Sequence, residues 1–148
     1  MSLVTETDIS RSAQAVWKSV FGHSLPSAPL QRTTSVDERF LVAKVNISGD
    51  PSRSIVVVCP QEEARRLAAL FFQVDVSTVK EPLIHDVFGE LANMIGGLIK
   101  RHFPHSARLS LPEVKEAPFQ DARQKTVAQA FFECGSKPIA VRLVQNPS

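Results

Sequence analysis

The sequence predicts an α+β domain, a largely antiparallel mixed sheet of about five or six strands packed with three helices. Three stretches space their apolar residues as amphipathic helices do. Several others alternate apolar and polar residues or are rich in β-branched ones, and most links between these are of hairpin length. At 148 residues the chain is expected to form a single domain (1–148), able to bury about two-thirds of its unfolded surface. Hydrophobic and charged fractions of 43% and 22% are ordinary for a globular protein, and a net charge of +2 gives no reason to expect a nucleic-acid partner.

The first helix is read over residues 8–21. Ile9, Ala13, Val16, Trp17, Val20 and Phe21 share one face, Asp8 is the expected cap and Gly22 ends the run. Pro26 and Pro29 mark a loop, and a weaker strand is expected over 31–36. Residues 40–48 alternate, with Leu41, Ala43, Val45 and Ile47 on one face and Lys44, Asn46 and Ser48 on the other. Gly49-Asp50-Pro51 then turns into 53–59, whose Ile55-Val56-Val57-Val58 run suits a well-buried strand. Pro60 breaks the sheet, and a short helix over 61–73 follows, with Ala64, Leu67, Ala68, Leu70 and Phe71 facing inward.

The last third is β-rich. A short strand is read over 107–111, ending at Pro112. Two more, over 126–134 and 138–144, are joined by Gly135-Ser136. Cys59 and Cys134 both lie in strand-like runs and are expected as reduced core residues. The N-terminal residues carry no secretory or transit pattern and no apolar run reaches membrane-spanning length, so a cytoplasmic protein is expected.

The most informative stretch is 81–103, EPLIHDVFGELANMIGGLIKRHF. Thr78 and Glu81 fit a capping box, Pro82 is tolerated in the first turn and Pro104 closes the helix. Ile84, Val87, Phe88, Leu91, Met94, Ile95, Leu98 and Ile99 form a broad apolar sector. Opposite it lie Asp86, Gly89, Glu90, Asn93, Gly96, Gly97 and Lys100. Each glycine costs about 0.8–1.0 kcal/mol relative to alanine in a helix. Leaving three on that strip makes sense if something approaches the backbone closely.

The familiar catalytic sets are missing: no phosphate loop, no dinucleotide glycine pattern and no His-Glu-x-x-His. His102 and His105 flank Pro104 without a third ligand nearby, so no metal site is expected. Cations from Lys100 to Arg108 follow a helix end, where they are favoured for dipole reasons alone. Asp86 and Glu90, at i and i+4 on an open face, should both stay ionised, which argues against general acid chemistry. Glu90 and Asn93, at i and i+3, project as neighbours. A carboxamide is suited to holding a water in line with a phosphorus atom, and an ionised carboxylate to anchoring on a partner's lysine. These residues alone leave two readings open: a hydrolytic aid reaching into another protein's phosphorylated site, or ordinary surface residues.

Glu90-Leu91-Ala92-Asn93-Met94-Ile95-Gly96-Gly97, followed by Leu109-Ser110-Leu111-Pro112-Glu113-Val114, resembles the CheX branch of the CheC/CheX/FliY chemotaxis phosphatases. That family pairs an E-x-x-N helix with a strand ending in proline, and the order of elements is similar over most of this chain. The resemblance implies a CheC/CheX-like fold and hydrolysis of the aspartyl phosphate of a CheY-type response regulator in two-component signalling. It implies Asn93 as the residue that orients the water and Glu90 as the anchor on the receiver's lysine. Asp86, Gly89, Gly96 and Gly97 would then face the partner. It also implies no cofactor of the chain's own, the Mg²⁺ belonging to the receiver, and a homodimer. The 18 residues between Asn93 and Pro112 are fewer than the family pattern suggests, and the first helix carries no E-x-x-N, which implies one site per chain. A non-catalytic interaction module with the same fold is the alternative.

Overall fold

The computed structural model describes residues 4–28, 39–117, 125–134 and 137–146. Helix α1 (Glu6–Phe21) is followed by strands β1 (Phe40–Ile47) and β2 (Arg53–Pro60), helix α2 (Gln61–Phe72), a 3₁₀ turn (Val76–Thr78) and helix α3 (Glu81–Ile99). Strands β3 (Glu113–Ala117), β4 (Lys125–Cys134) and β5 (Lys137–Gln145) complete it. All four strand pairings are antiparallel, in the order β3-β1-β2-β5-β4. The predicted class therefore stands, with five strands among the described residues. The strand expected over 31–36 and the Gly135-Ser136 link lie outside them.

The alternation in β1 decides which side of the sheet is buried. Leu41, Ala43, Val45 and Ile47 are sealed from solvent, together with Ile55, Val57 and Cys59 of β2 and Ile139, Val141 and Leu143 of β5. These side chains join Ile9, Ala13, Val16 and Trp17 of α1, Ala64, Leu67 and Ala68 of α2, and Ile84, Phe88, Leu91, Ile95 and Ile99 of α3 in one core. Within α3, Met94 and Leu98 are only half buried.

Several local details differ from the sequence reading. Helix α1 begins earlier than expected, because Thr5 is the N-cap. Its hydroxyl accepts from the Asp8 backbone N–H at 3.2 Å, while the Asp8 carboxylate accepts from the Thr5 N–H at 2.9 Å. Asp8 is the third helical residue of a capping box, not the cap itself. The box expected from Thr78 and Glu81 does not form. Thr78 belongs to the 3₁₀ turn, where its hydroxyl donates to the Asp75 carbonyl, and Lys80 stands at the N-cap of α3. Leu70 and Phe71 are exposed, because α2 turns Ala64, Leu67, Ala68 and Ala69 to the core instead. Phe71 packs edge-on to Phe21 and Phe72.

The largest difference lies around Pro112. Residues 107–111 are not a strand; only Leu109 bridges to Ile47, with the Ser48 N–H donating to the Arg108 carbonyl and the Ser110 N–H to that of Asn46. Regular pairing with β1 starts after the proline, at Glu113↔Lys44. Proline has no N–H to offer a ladder, so the strand begins behind it. Among the described residues no helix is long and apolar enough to cross a membrane.

The hydrogen bonds from Thr5 hold the Asp8 carboxyl below the usual carboxylate range. A depressed folded-state value stabilises the fold above the unfolded value and loses that effect as pH falls through the folded one. Thr5→Ala is expected to lower stability by about 1 kcal/mol in denaturant unfolding near neutral pH. In the same variant, NMR titration should show the Asp8 carboxyl moving back up.

Candidate functional site

At about 100° per residue, Asn93, Asp86, Gly97 and Glu90 fall within about 60° of arc on α3. This is the part of the helix that points away from the core. Asp86 and Glu90 are exposed and Asn93 is half exposed. Neither Glu90 nor Asn93 has a side-chain partner among the described residues. No described residue ties up the acid or the amide.

Gly89 and Gly96 lie on the flank of this strip, and both are buried. A methyl group at Gly89 would stand 3.4 Å from Pro112 Cγ and from Val114 Cγ2. At Gly96 it would stand 3.4 Å from Leu109 Cδ2 and from Val45 Cγ1. The chain's own connector and sheet thus come to ordinary contact distance at these two glycines, which gives them a neighbour within the chain that the sequence pattern did not identify. Gly97 is different. Its nearest neighbour would be Leu109 Cδ1 at 4.0 Å, so packing within the chain gives no reason for a glycine there.

A cleft of about 490 Å³ opens between α3 and β3, lined by His85, Asp86, Gly89, Glu90, Pro112 and Val114. Two carboxylates and the His85 imidazole edge an otherwise small-residue and apolar wall, in which Val114 stands opposite Ala43 in register and projects to the helix-bearing side. The cleft gathers Asp86, Gly89 and Glu90. Asn93 lies further along the same helix and is not part of its lining. Gly96 and Gly97 lie beyond it, beside Leu109. His85 also lines the cleft, and no sequence pattern singles it out, since β3 is distant in sequence.

Other reactive groups lie away from this face. Cys59 and Cys134 are free thiols, both buried. Burial pushes the Cys59 thiol well up and raises that of Cys134, the opposite of what a nucleophile needs.

Residues 41–133, more than half of the chain, match the family model described as chemotaxis phosphatase CheX. The chain belongs to the CheX family. Solved CheX and CheC-like structures share its fold. CheX from Vibrio vulnificus aligns with a TM-score of 0.71 at 15% identity, over 94% of this chain and 97% of that one. A CheC-like superfamily protein from a Shewanella species gives 0.73 at 12% identity, over 99% and 100%. CheX from Borrelia burgdorferi, solved in complex with CheY, BeF₃ and Mg²⁺, gives 0.64 at 12% identity, over 96% and 97%. No protein with a curated description matches the chain in sequence. Within the CheX frame, the E-x-x-N pair occupies the outward strip of α3, and Pro112 closes the far wall of the cleft.

The two kinds of glycine should respond oppositely to substitution. Gly97→Ala is expected to stabilise the fold by about 0.5–1 kcal/mol, since helix propensity improves and nothing is displaced. Gly96→Leu should destabilise it by about 1–3 kcal/mol through overpacking against Val45 and Leu109. Denaturant unfolding of both variants checks the pair.

Proposed function

We propose that this chain dephosphorylates a CheY-type receiver domain. The aspartyl phosphate is the substrate, Asn93 holds the attacking water in line with the phosphorus, and Glu90 anchors on the receiver's lysine. One observation carries the reading: in a CheX-family chain, Glu90 and Asn93 stand as neighbours on the outward strip of α3, with no side-chain partner among the described residues. The Borrelia burgdorferi relative's complex with CheY supports a receiver as partner.

The chemistry follows from the groups. The acceptor oxygen of the Asn93 carboxamide takes a hydrogen bond from the water, and its N–H groups donate to an oxygen of the phosphoryl group. That fixes the line of attack without requiring a base, because positioning and charge stabilisation supply most of the catalysis in phosphoryl transfer. Glu90 contributes a fixed negative charge, so the lysine it meets registers the two proteins. Gly97 leaves the backbone beside this pair bare. Leu111, 87% exposed next to Pro112, offers the partner an apolar contact at the rim of the cleft. The Mg²⁺ belongs to the receiver's phosphorylation site, and this chain contributes no ligand to it. A homodimer and a cytoplasmic location complete the reading.

Asn93→Ala is expected to abolish release of phosphate from a phosphorylated receiver while leaving the circular dichroism spectrum and unfolding midpoint unchanged. Full activity in that variant would overturn the assignment. Glu90→Lys should act differently, weakening the complex by opposing a lysine with a lysine. Titration of a beryllofluoride-treated receiver against both variants separates loss of chemistry from loss of binding. An inactive wild-type chain that still binds would instead mark a non-catalytic interaction module.

A further inference from the structure

Beside the cleft, on the side away from Asn93, three potential ligands converge from two elements. Glu81 and His85 lie at i and i+4 on α3, and Glu116 comes from β3. Glu116 pairs with Leu41, a core-facing position, so its side chain rises on the helix-bearing side of the sheet. One ligand atom from each of the three lies within 4.8 Å of the other two.

The local hydrogen bonds leave the inner atoms open. Arg65 donates to Glu81 Oε1 at 2.5 Å and also to the Val79 carbonyl. Gln61 donates to Glu116 Oε1. Each carboxylate is therefore held through one oxygen, Oε1. Glu81 Oε2 and His85 Nε2 face each other at 3.9 Å; both are shut off from solvent, and neither has a hydrogen-bond partner among the described residues. Polar atoms left in this way carry a desolvation cost. One cation between them would satisfy both.

We propose that Glu81, His85 and Glu116 form a binding site for a divalent transition-metal ion of the zinc class. One imidazole with two carboxylates suits such an ion better than Mg²⁺ or Ca²⁺, which favour all-oxygen shells. Gln61 and Arg65 are the outer partners that orient the two carboxylates. The three ligands are close but not yet at coordination distance; Glu116 is exposed and the Glu81 and His85 side chains are partly so, which leaves them room to rotate. Because two ligands sit on α3 and one on β3, the ion would fasten together the two walls of the cleft that holds Glu90. The proposal stands independently of the phosphatase reading, since it is tested without a receiver.

The full chain, stripped with a chelator, is titrated with zinc chloride alone by calorimetry, with thermal unfolding in parallel. The expected result is one equivalent bound and a midpoint raised by about 5–10 °C at zinc a hundredfold above its Kd. Magnesium chloride should give no such rise. Glu116→Gln and His85→Gln should each weaken binding by at least the ~10–100-fold that a lost outer partner costs a metal site. His102→Gln and His105→Gln should leave it unchanged. No zinc binding, or binding that survives Glu116→Gln, overturns the proposal, as does binding lost in the His102 or His105 variant. Glu116 sits on an exposed edge strand, so its variant keeps the test decisive even if His85→Gln fails to fold.

Discussion

The contact on which this structure turns is the close approach of α3 to the segment that crosses beside it. Gly89 lies under Pro112 and Val114, and Gly96 under Leu109 and Val45. A methyl at either position would just touch these neighbours, and a side chain extending further would push the helix off its seat or roll it about its axis. Roll is the important quantity, because the helix carries apolar residues around most of its circumference. With the two glycines seated, Phe88, Leu91 and Ile95 point into the sheet, and Asp86, Glu90 and Asn93 are left as the outward strip. The residues that seat the helix and those available for chemistry are thus interleaved on a few turns.

Much of this was legible from local pattern. The period of two in β1 and the run of β-branched residues in β2 report burial that each strand meets by itself, and both read correctly. The apolar sector of α3 read correctly for the same reason, with Met94 and Leu98 as its half-buried margins. The glycines read only in part. Their presence signalled a close approach, but a sequence pattern does not say which surface approaches. At Gly89 and Gly96 it is the same chain, brought in by a connection whose geometry has no periodicity to read.

Termini and irregular pairing were harder for a related reason. Thr5 and Asp8 satisfy each other's backbone groups, and from residue types alone either could be the cap. Thr78 met the formal pattern of a capping box, yet the chain used it to close a 3₁₀ turn just before the helix. Around Pro112, the alternation of 107–111 resembled a strand, while hydrogen bonding set in only behind the proline. Leu70 and Phe71 had the right spacing for an inner face, but α2 fills the core with its alanines and leaves them outside. At Thr5 and Thr78 one local hydrogen bond won over another, while around Pro112 and along α2 contacts with distant parts of the chain decided.

The cleft has sides of unequal stiffness. One belongs to a nineteen-residue helix buried along much of its length; the other is a five-residue strand that, among the described residues, is hydrogen-bonded to a single neighbour. Amide protons on the helical jaw should exchange slowly and those on the outer edge of the strand quickly, because local opening follows buried contact. A docking protein would therefore meet its chemistry on an anvil that does not move, and adjust its fit against a lip that can.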